Sequence, residues 1–350
     1  MGKSTALVTG AAGFIGSHVV RGLLEQGWVT PVGMDDLSGG FRRNLPDGVA
    51  FVEGSITDVG LVERLFDTYR FDYVYHLAAY AAEGLSHYIR RFNYTNNLIG
   101  SVNLINQAVR HEVKCFVFTS SIAVYGPLPP PLREEDHPVP EDPYGVAKYA
   151  VEMDLEAARR MFGLPFVVFR PHNVYGERQN LADPYRNVLG IFMRQILQGR
   201  PMTVFGDGAQ RRAFTYVGDI ASMIAASPRV PAAINQVINI GSDAPCRVHD
   251  LALMIAAALR VPGHPIDFLP ARPEVQDAYC AHERQRRIFG DVAETPLREG
   301  VARMAAWART VTLAPREPFT AIEVDRNMPP SWRALVDAAR RGPKGRPGAA

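Results

Sequence analysis

The feature that most constrains this chain is a glycine triplet set directly behind a short β-branched run. Residues 6–9 (Ala-Leu-Val-Thr) read as a strand, and Gly10-Ala11-Ala12-Gly13-Phe14-Ile15-Gly16 leads from it into a helical pattern over 15–25. Gly10 permits a tight turn, Gly13 lets backbone approach a pyrophosphate, and Gly16 allows close helix–strand packing. The first helical turn then offers N–H groups and a positive dipole end to an anion. The bland alternative is a glycine-rich turn without a ligand. A second candidate strand, 29–34, runs into Asp35-Asp36. A carboxylate there can hydrogen-bond both ribose hydroxyls of an adenosine and would repel a 2′-phosphate, so Asp35 favours NAD over NADP. Asp58 and His76 are further candidates for that pocket, and His76 reads equally well as a core histidine.

Strand-like runs at 50–53, 73–76, 115–119 and 166–170 alternate with helical patterns at 61–69, 98–110 and 144–161. This alternation predicts an α/β fold, a doubly wound parallel sheet. The proline-rich stretch 127–143 reads as a loop that is neither helix nor central strand. A chain of 350 residues carries a prior of about two domains. Beyond residue 175 prolines and glycines punctuate short elements. The expected division is therefore 1–175, a nucleotide-binding domain; 176–339, a smaller, partly interleaved α/β substrate domain; and 340–350, a disordered tail.

Charge narrows the partners. Lys plus Arg number 38 and Asp plus Glu 36, a net charge of +2. That is too little excess cation for a phosphate-tracking nucleic-acid surface. Arg340, Arg341, Lys344 and Arg346 stand in an acid-free tail, which leaves the rest of the chain slightly acidic. Cys115, Cys246 and Cys280 form neither a disulfide framework nor a zinc site, and each is read as a small buried hydrophobe. No metal is expected. No apolar run reaches the ~18 residues of a membrane span, and the start shows no signal-peptide pattern, so the expected location is cytoplasmic. Gly2-Lys3-Ser4-Thr5 looks like the tail of a P-loop without the strand and glycine that should precede it.

The candidate chemistry sits around Tyr144-Gly-Val-Ala-Lys148, at the start of a helical stretch. Positions i and i+4 share a helix face, and a neighbouring cation lowers a phenol's pKa from about 10. A tyrosinate near neutrality is a general base for a hydroxyl proton. Ser121 ends the run Phe118-Thr119-Ser120-Ser121 at a strand end, where its hydroxyl can hold the same substrate oxygen.

Together with His76-Leu77-Ala78-Ala79, Asn97-x-x-Gly100, Val124-Tyr-Gly126, Arg170-Pro-His-Asn173-Val-Tyr-Gly176, Phe205-Gly-Asp-Gly208, Arg212-x-Phe-x-Tyr-Val217 and Arg272-Pro-Glu-Val275, these features resemble the extended short-chain dehydrogenase/reductases. The specific likeness is to the NAD-dependent nucleotide-sugar epimerase/dehydratase branch, over about residues 4–309. The resemblance implies a Rossmann-type fold. It implies NAD held by Gly10, Gly13, Phe14, Ile15, Gly16, Asp35, Asp58, Leu77, Ala78, Ala79, Tyr144 and Lys148. It implies catalysis by Ser121, Tyr144 and Lys148, and a UDP-sugar bound by Ser121, Tyr144, Asn173, Val204, Arg212 and Arg272. Arginine suits a diphosphate because its planar fork binds two oxygens at once. A homodimer through the helical stretches 98–110 and 144–160 is the family expectation.

The same likeness narrows the reaction. The acid pair of the 4,6-dehydratases, the Glu of the uronate decarboxylases and the Cys of the deoxyhexose epimerase-reductases all lack counterparts among Ser120, Ser121, Ile122 and Ala123. The leading expectation is inversion of C4 of a UDP-hexose or UDP-hexuronate through a 4-keto intermediate. Tyr279, seven residues past Arg272, would exclude N-acetylated sugars. The hydroxyls of Thr119, Ser120 and Ser121 suit either a 6-OH or a 6-carboxylate. The alternatives are another outcome of 4-keto chemistry, as in a dehydratase or 2-epimerase, and a non-catalytic NAD-binding sensor, against which the Tyr144/Lys148 pair speaks. Ser55, Ala213, Glu274 and Val275 depart from the family pattern. The segment 80–88 also differs from the simplest epimerases and is expected to line the sugar, with no role assigned to Glu83 or Ser86; Arg211 is read as solvated.

Overall fold

The computed structural model describes residues 3–183, 185, 187–271, 276–313, 319 and 321–340. Seven strands form one parallel sheet. They are β1 (Ser4–Thr9), β2 (Val29–Asp35), β3 (Ala50–Glu53), β4 (Tyr73–His76), β5 (Cys115–Thr119), β6 (Phe166–Pro171) and Gln236–Ile240. Their spatial order is Gln236–Ile240, β6, β5, β4, β1, β2, β3. The winding reverses between β1 and β4, whose registers align Thr9 with His76. A crevice at such a switch point, beyond the carboxyl ends of the strands, is where open α/β sheets bind ligands.

Alternation along β1 sets the two faces. Leu7 joins Val32, Phe116, Phe118 and Val168 beneath helices that include Val59–Tyr69, Gly100–Arg110 and Pro143–Phe162. Ala6 and Val8 join Val19, Tyr75, Val117 and Phe169 on the other face, under helices Phe14–Gln26 and Val217–Ala226. Both faces are covered, so the strands read as continuous apolar runs. Each buried large side chain contributes ~1.5–3 kcal/mol of transfer free energy.

A second core gathers Leu189, Phe192, Met193, Leu251, Ile255, Val301 and Met304. Its helices are Val188–Leu197, Val248–Ala258 and Leu297–Ala308, with the strand pair Met202–Phe205 and Ile266–Leu269. Between the two cores, strand Arg211–Ala213 lies between Pro245–Arg247 and Asp277–Ala278. The chain crosses back in this half: helix Val217–Ala226 and strand Gln236–Ile240 rejoin the large sheet, and helix Glu283–Phe289 later packs against it.

Some expectations shift. Pro143, read as loop, is the first residue of helix Pro143–Phe162; Asp142 caps it by accepting from the Tyr144 and Gly145 N–H groups. The helix expected over 98–110 begins as one wide turn of π type, Thr95–Ile99, before Gly100–Arg110. There Asn97 accepts from Tyr80 N and donates to Tyr80 O and Asn93 Oδ1. Cys115 and Cys280 are buried as expected, but Cys246 is only half-buried. Among the described residues no helix is long and apolar enough to cross a membrane, and no cluster of His, Cys, Asp or Glu suits a metal ion. Residues 341–350 of the expected tail lie outside the described residues, and Arg340 ends helix Pro330–Arg340.

Candidate active site

One cavity of about 590 Å³ runs along the switch point from the glycine turn to the second core. At its first end lie Gly10, Gly13, Phe14, Ile15, Gly16 and Asp35. The glycines are there for space. Gly10 has φ +69°, and a Cβ on it would stand 2.7 Å from Ala78 N; a Cβ on Gly16 would stand 2.0 Å from Gly10 O. Helix Phe14–Gln26 starts with no side-chain cap and no acid in its first turn. Its first N–H groups and dipole are therefore available to an anion.

Asp35 closes this end. Its Oδ2 accepts from Ala12 N at 3.0 Å and its Oδ1 from Leu37 N at 2.8 Å. Burial pushes its carboxyl up, against the pull of those N–H groups. The cradle fits a dinucleotide: a turn that excludes a Cβ, an uncapped helix start, and a carboxylate beyond it. Leu77, Ala78 and Ala79 form the neighbouring wall.

Asp58 lies elsewhere. It does not line the cavity; its Oδ1 accepts from Leu61 N at 2.9 Å and caps helix Val59–Tyr69. His76 is a core residue that supports the strand ends. Its ring bonds Thr9 Oγ1 and Ser101 Oγ, each at 2.8 Å, and burial, with Lys148 nearby, holds it well below the usual imidazole range.

Ser121, Tyr144 and Lys148 meet at the middle of the cavity. Lys148 is 2% exposed, and its Nζ donates to Thr119 O at 2.7 Å. It lies 4.7 Å from the Phe118 ring centroid and 5.8 Å from that of Tyr144. Burial brings its ammonium down to about 7, opposed by the charge of Glu152. Ser121 Oγ accepts from Ala123 N at 3.1 Å. That bond uses a lone pair and leaves the O–H to donate. Ser120 also lines the cavity, but its Oγ donates to Glu152 Oε1 at 2.5 Å, and Arg170 grips both Glu152 oxygens. The expected trio of hydroxyls is therefore reduced, because the Ser120 proton is committed. Thr119 Oγ1 is buried without a protein partner.

The far end brings Asn173, Val204 and Arg212 to the cavity wall. Asn173 Nδ2 donates to Ala213 O at 3.1 Å. Arg212 Nη1 donates to the carbonyls of Arg211 and Gln276, each at 2.9 Å. Arg211, read as solvated, is exposed but makes a two-pronged pair with Asp277 at 3.0 and 2.6 Å, which ties strand Asp277–Ala278 in place. Arg272, Glu274 and Val275 lie outside the described residues. Tyr279 is not among the residues lining the cavity: its carbonyl accepts from Leu132 N at 3.0 Å, beside the Leu132–Cys280 bridge.

Of the segment 80–88, Tyr80, Ala81, Glu83 and Gly84 line the cavity; sequence reasoning missed Gly40, Phe92, Gln179, Tyr185, Asn187 and Val248, which line it too. Gly40 carried a signal in the Gly39-Gly40 pair; a Cβ on it would stand 2.5 Å from the Ala12 carbonyl carbon. The others come from separate segments with no shared spacing. Tyr80 and Phe92 are backed by Phe319, and Tyr185 by Trp332, whose ring also sits 3.0 Å from where a Gly84 Cβ would be.

Known proteins resemble this chain in sequence and fold. The model of the NAD dependent epimerase/dehydratase family matches residues 6–241. A UDP-glucose 4-epimerase of Mycolicibacterium smegmatis is 34% identical, over 87% of this chain and 98% of its own. The structure of Thermotoga maritima UDP-glucose 4-epimerase with UDP-glucose aligns with a TM-score of 0.82 at 34% identity, over 87% of this chain and 99% of the other. That of Bacillus cereus UDP-glucuronic acid 4-epimerase, in complex with UDP-glucuronic acid and NAD, aligns at 0.79 and 28%, over 87% and 99%. With the glycine cradle, the carboxylate beyond it and the Tyr144–Lys148 pair on one cavity, this chain belongs to the NAD-dependent epimerase/dehydratase family of extended short-chain dehydrogenase/reductases, with NAD as its cofactor.

Proposed function

We propose that this protein inverts C4 of a UDP-hexose or UDP-hexuronate. The observation that carries the reading is a single cavity joining the dinucleotide cradle, the Ser121–Tyr144–Lys148 cluster and Arg212. NAD, when bound, supplies a reversible hydride acceptor. Tyr144 takes the proton of the sugar 4-OH and later returns it. Lys148 keeps a cation beside the phenol, and Ser121 donates to the sugar oxygen. Asn173 and Arg212 hold the diphosphate side, with the Val204 strand beside the base. The sugar turns over as a 4-keto intermediate between the two half-reactions. The stretch 120–123 carries no acid, and Glu152, which reaches Ser120, is tied to it and to Arg170. This favours epimerisation over dehydration.

In this reading the large-sheet lobe binds the cofactor and the second core carries the substrate. Exposed Ile99, Val146, Met153, Met161 and Phe162 on the helices Gly100–Arg110 and Pro143–Phe162, and just before them, support a homodimer through those faces. The three cysteines stand free, which fits a reducing cytoplasm.

The test is NMR of products after incubation with NAD and UDP-glucose or, separately, UDP-glucuronate. C4 inversion of either supports the reading. Inversion of UDP-N-acetylhexosamines alone, or elimination of water from C6, overturns it.

A further inference from the structure

The Pro171-His172-Asn173 turn at the end of β6 holds a histidine that the proposed mechanism does not use. His172 is 1% exposed, and His282, just before helix Glu283–Phe289, is 0% exposed. Their Nε2 atoms are 3.1 Å apart. The contact depends on Gly241: a Cβ there would stand 2.4 Å from His172 Nε2 and 2.5 Å from Thr215 Oγ1.

Counting protons along this chain leaves one arrangement. Ala213 O can only accept, so His172 Nδ1, 3.1 Å away, carries a hydrogen. His172 is neutral, because burial and the neighbouring His282 hold it at about 3. Its Nε2 is therefore an acceptor, and His282 Nε2 must donate to it. The other His282 nitrogen, Nδ1, faces Asp243 Oδ1 at 2.5 Å. Asp243 is ionised; His282 and Arg286 hold its carboxyl at about 2. A carboxylate accepts, so His282 Nδ1 donates too.

We propose that His282 is a buried imidazolium that acts through neutral His172 as a positioning residue for the diphosphate side of the cavity. The link is the Ala213 carbonyl, which accepts from both His172 Nδ1 and Asn173 Nδ2 at 3.1 Å and directly follows Arg212. Asn173 and Arg212 both line the cavity. The groups facing the pair are Asp243 from the loop after strand Gln236–Ile240, Gln285 and Arg286 from helix Glu283–Phe289, and Thr215 beside Gly241. Arg286 Nη1 reaches Asp243 Oδ2 at 2.5 Å, so the imidazolium and the guanidinium share one carboxylate. Removing the His282 imidazolium should leave His172 Nε2 without its donor and loosen the hold on Ala213.

The experiment is nitrogen-15 NMR of histidine and asparagine side chains in the full chain at neutral pH. The expected result is one imidazole protonated on both nitrogens, absent in His282→Gln, and an Asn173 amide signal displaced in both His282→Gln and Asp243→Asn. Every imidazole being neutral at that pH, or an Asn173 signal indifferent to both substitutions, overturns the proposal. These readouts need no substrate, so they stand apart from the proposed function. On that function the inference adds one more expectation: the KM for the UDP-sugar rises about five- to tenfold in Asp243→Asn, one hydrogen bond's worth of binding, with kcat unchanged. A changed kcat with unchanged KM also overturns it.

Discussion

At the cofactor end, one continuous stretch from Ser4 to Asp35 supplies the cradle, and it works mainly by leaving things out: three missing Cβ atoms and a missing helix cap. At the middle and far end of the cavity, side chains converge from β5, the helix Pro143–Phe162, the turn after β6, and strands Met202–Phe205 and Arg211–Ala213. Some are held by a partner far off in the chain, as Lys148 is by the Thr119 carbonyl and Asn173 by that of Ala213. The first end should tolerate the loss of side chains and fail on additions. The second should fail on losses.

The sharpest break of that contrast would be a silent Tyr144→Phe. Removing the hydroxyl should lower turnover about 10²- to 10⁴-fold, the usual worth of a positioned acid–base group, while NAD binding and circular dichroism stay as in the parent. Next comes Glu152→Gln. It strips the charge from a pair whose side chains are 4% and 5% exposed, and leaving Arg170 uncompensated should cost about 3–5 kcal/mol in urea unfolding. A smaller loss would mean that the side-chain end is less interdependent than drawn.

At the cradle, Gly16→Ala adds one methyl 2.0 Å from the Gly10 carbonyl. It should cost about 1–3 kcal/mol of stability and sharply weaken NAD binding in a fluorescence titration. Unchanged NAD affinity would remove the steric account of that end. Lys148 gives a pH signature. Its folded ammonium sits at about 7 against an unfolded value near 10.4, so between those limits the unfolded chain holds more protons. Stability of the NAD-free protein therefore gains from this group as pH rises through that window, by at most about 1.4 kcal/mol per unit, and gains nothing below it. Urea titrations at pH 7 and 9 should show that gain in the parent and lack it in Lys148→Met. The smallest effect belongs to Asp58→Ala: about 1 kcal/mol from a lost cap, with NAD affinity untouched. A drop in NAD affinity would return Asp58 to the cofactor end.

Legibility followed the same division. The cradle was readable because its parts are neighbours in the chain and each glycine answers a local steric demand. Tyr144 and Lys148 were readable because four residues is one helical turn. Tyr279 and Asp58 failed to reach the cavity for opposite reasons. The Tyr279 backbone is engaged by Leu132, a partner far away in sequence, whereas Asp58 is consumed by its own helix three residues on. Ser120 and Ser121 are adjacent, chemically alike and both line the cavity, yet only the fold commits the hydroxyl of one to Glu152.

By itself the sequence determined the alternating α/β elements, the dinucleotide turn with its acid, and the pairing of a phenol with an ammonium. These depend on spacings of a few residues, over which backbone geometry is set by local sterics. Only the tertiary structure decided which hydroxyl is spent, which arginine is paired, how strand Gln236–Ile240 completes the sheet, and that His172 meets His282. Those outcomes depend on contacts between residues 32 to 110 positions apart. Burial there removes water as an alternative partner, so each polar group must take whichever donor or acceptor the packing brings to it.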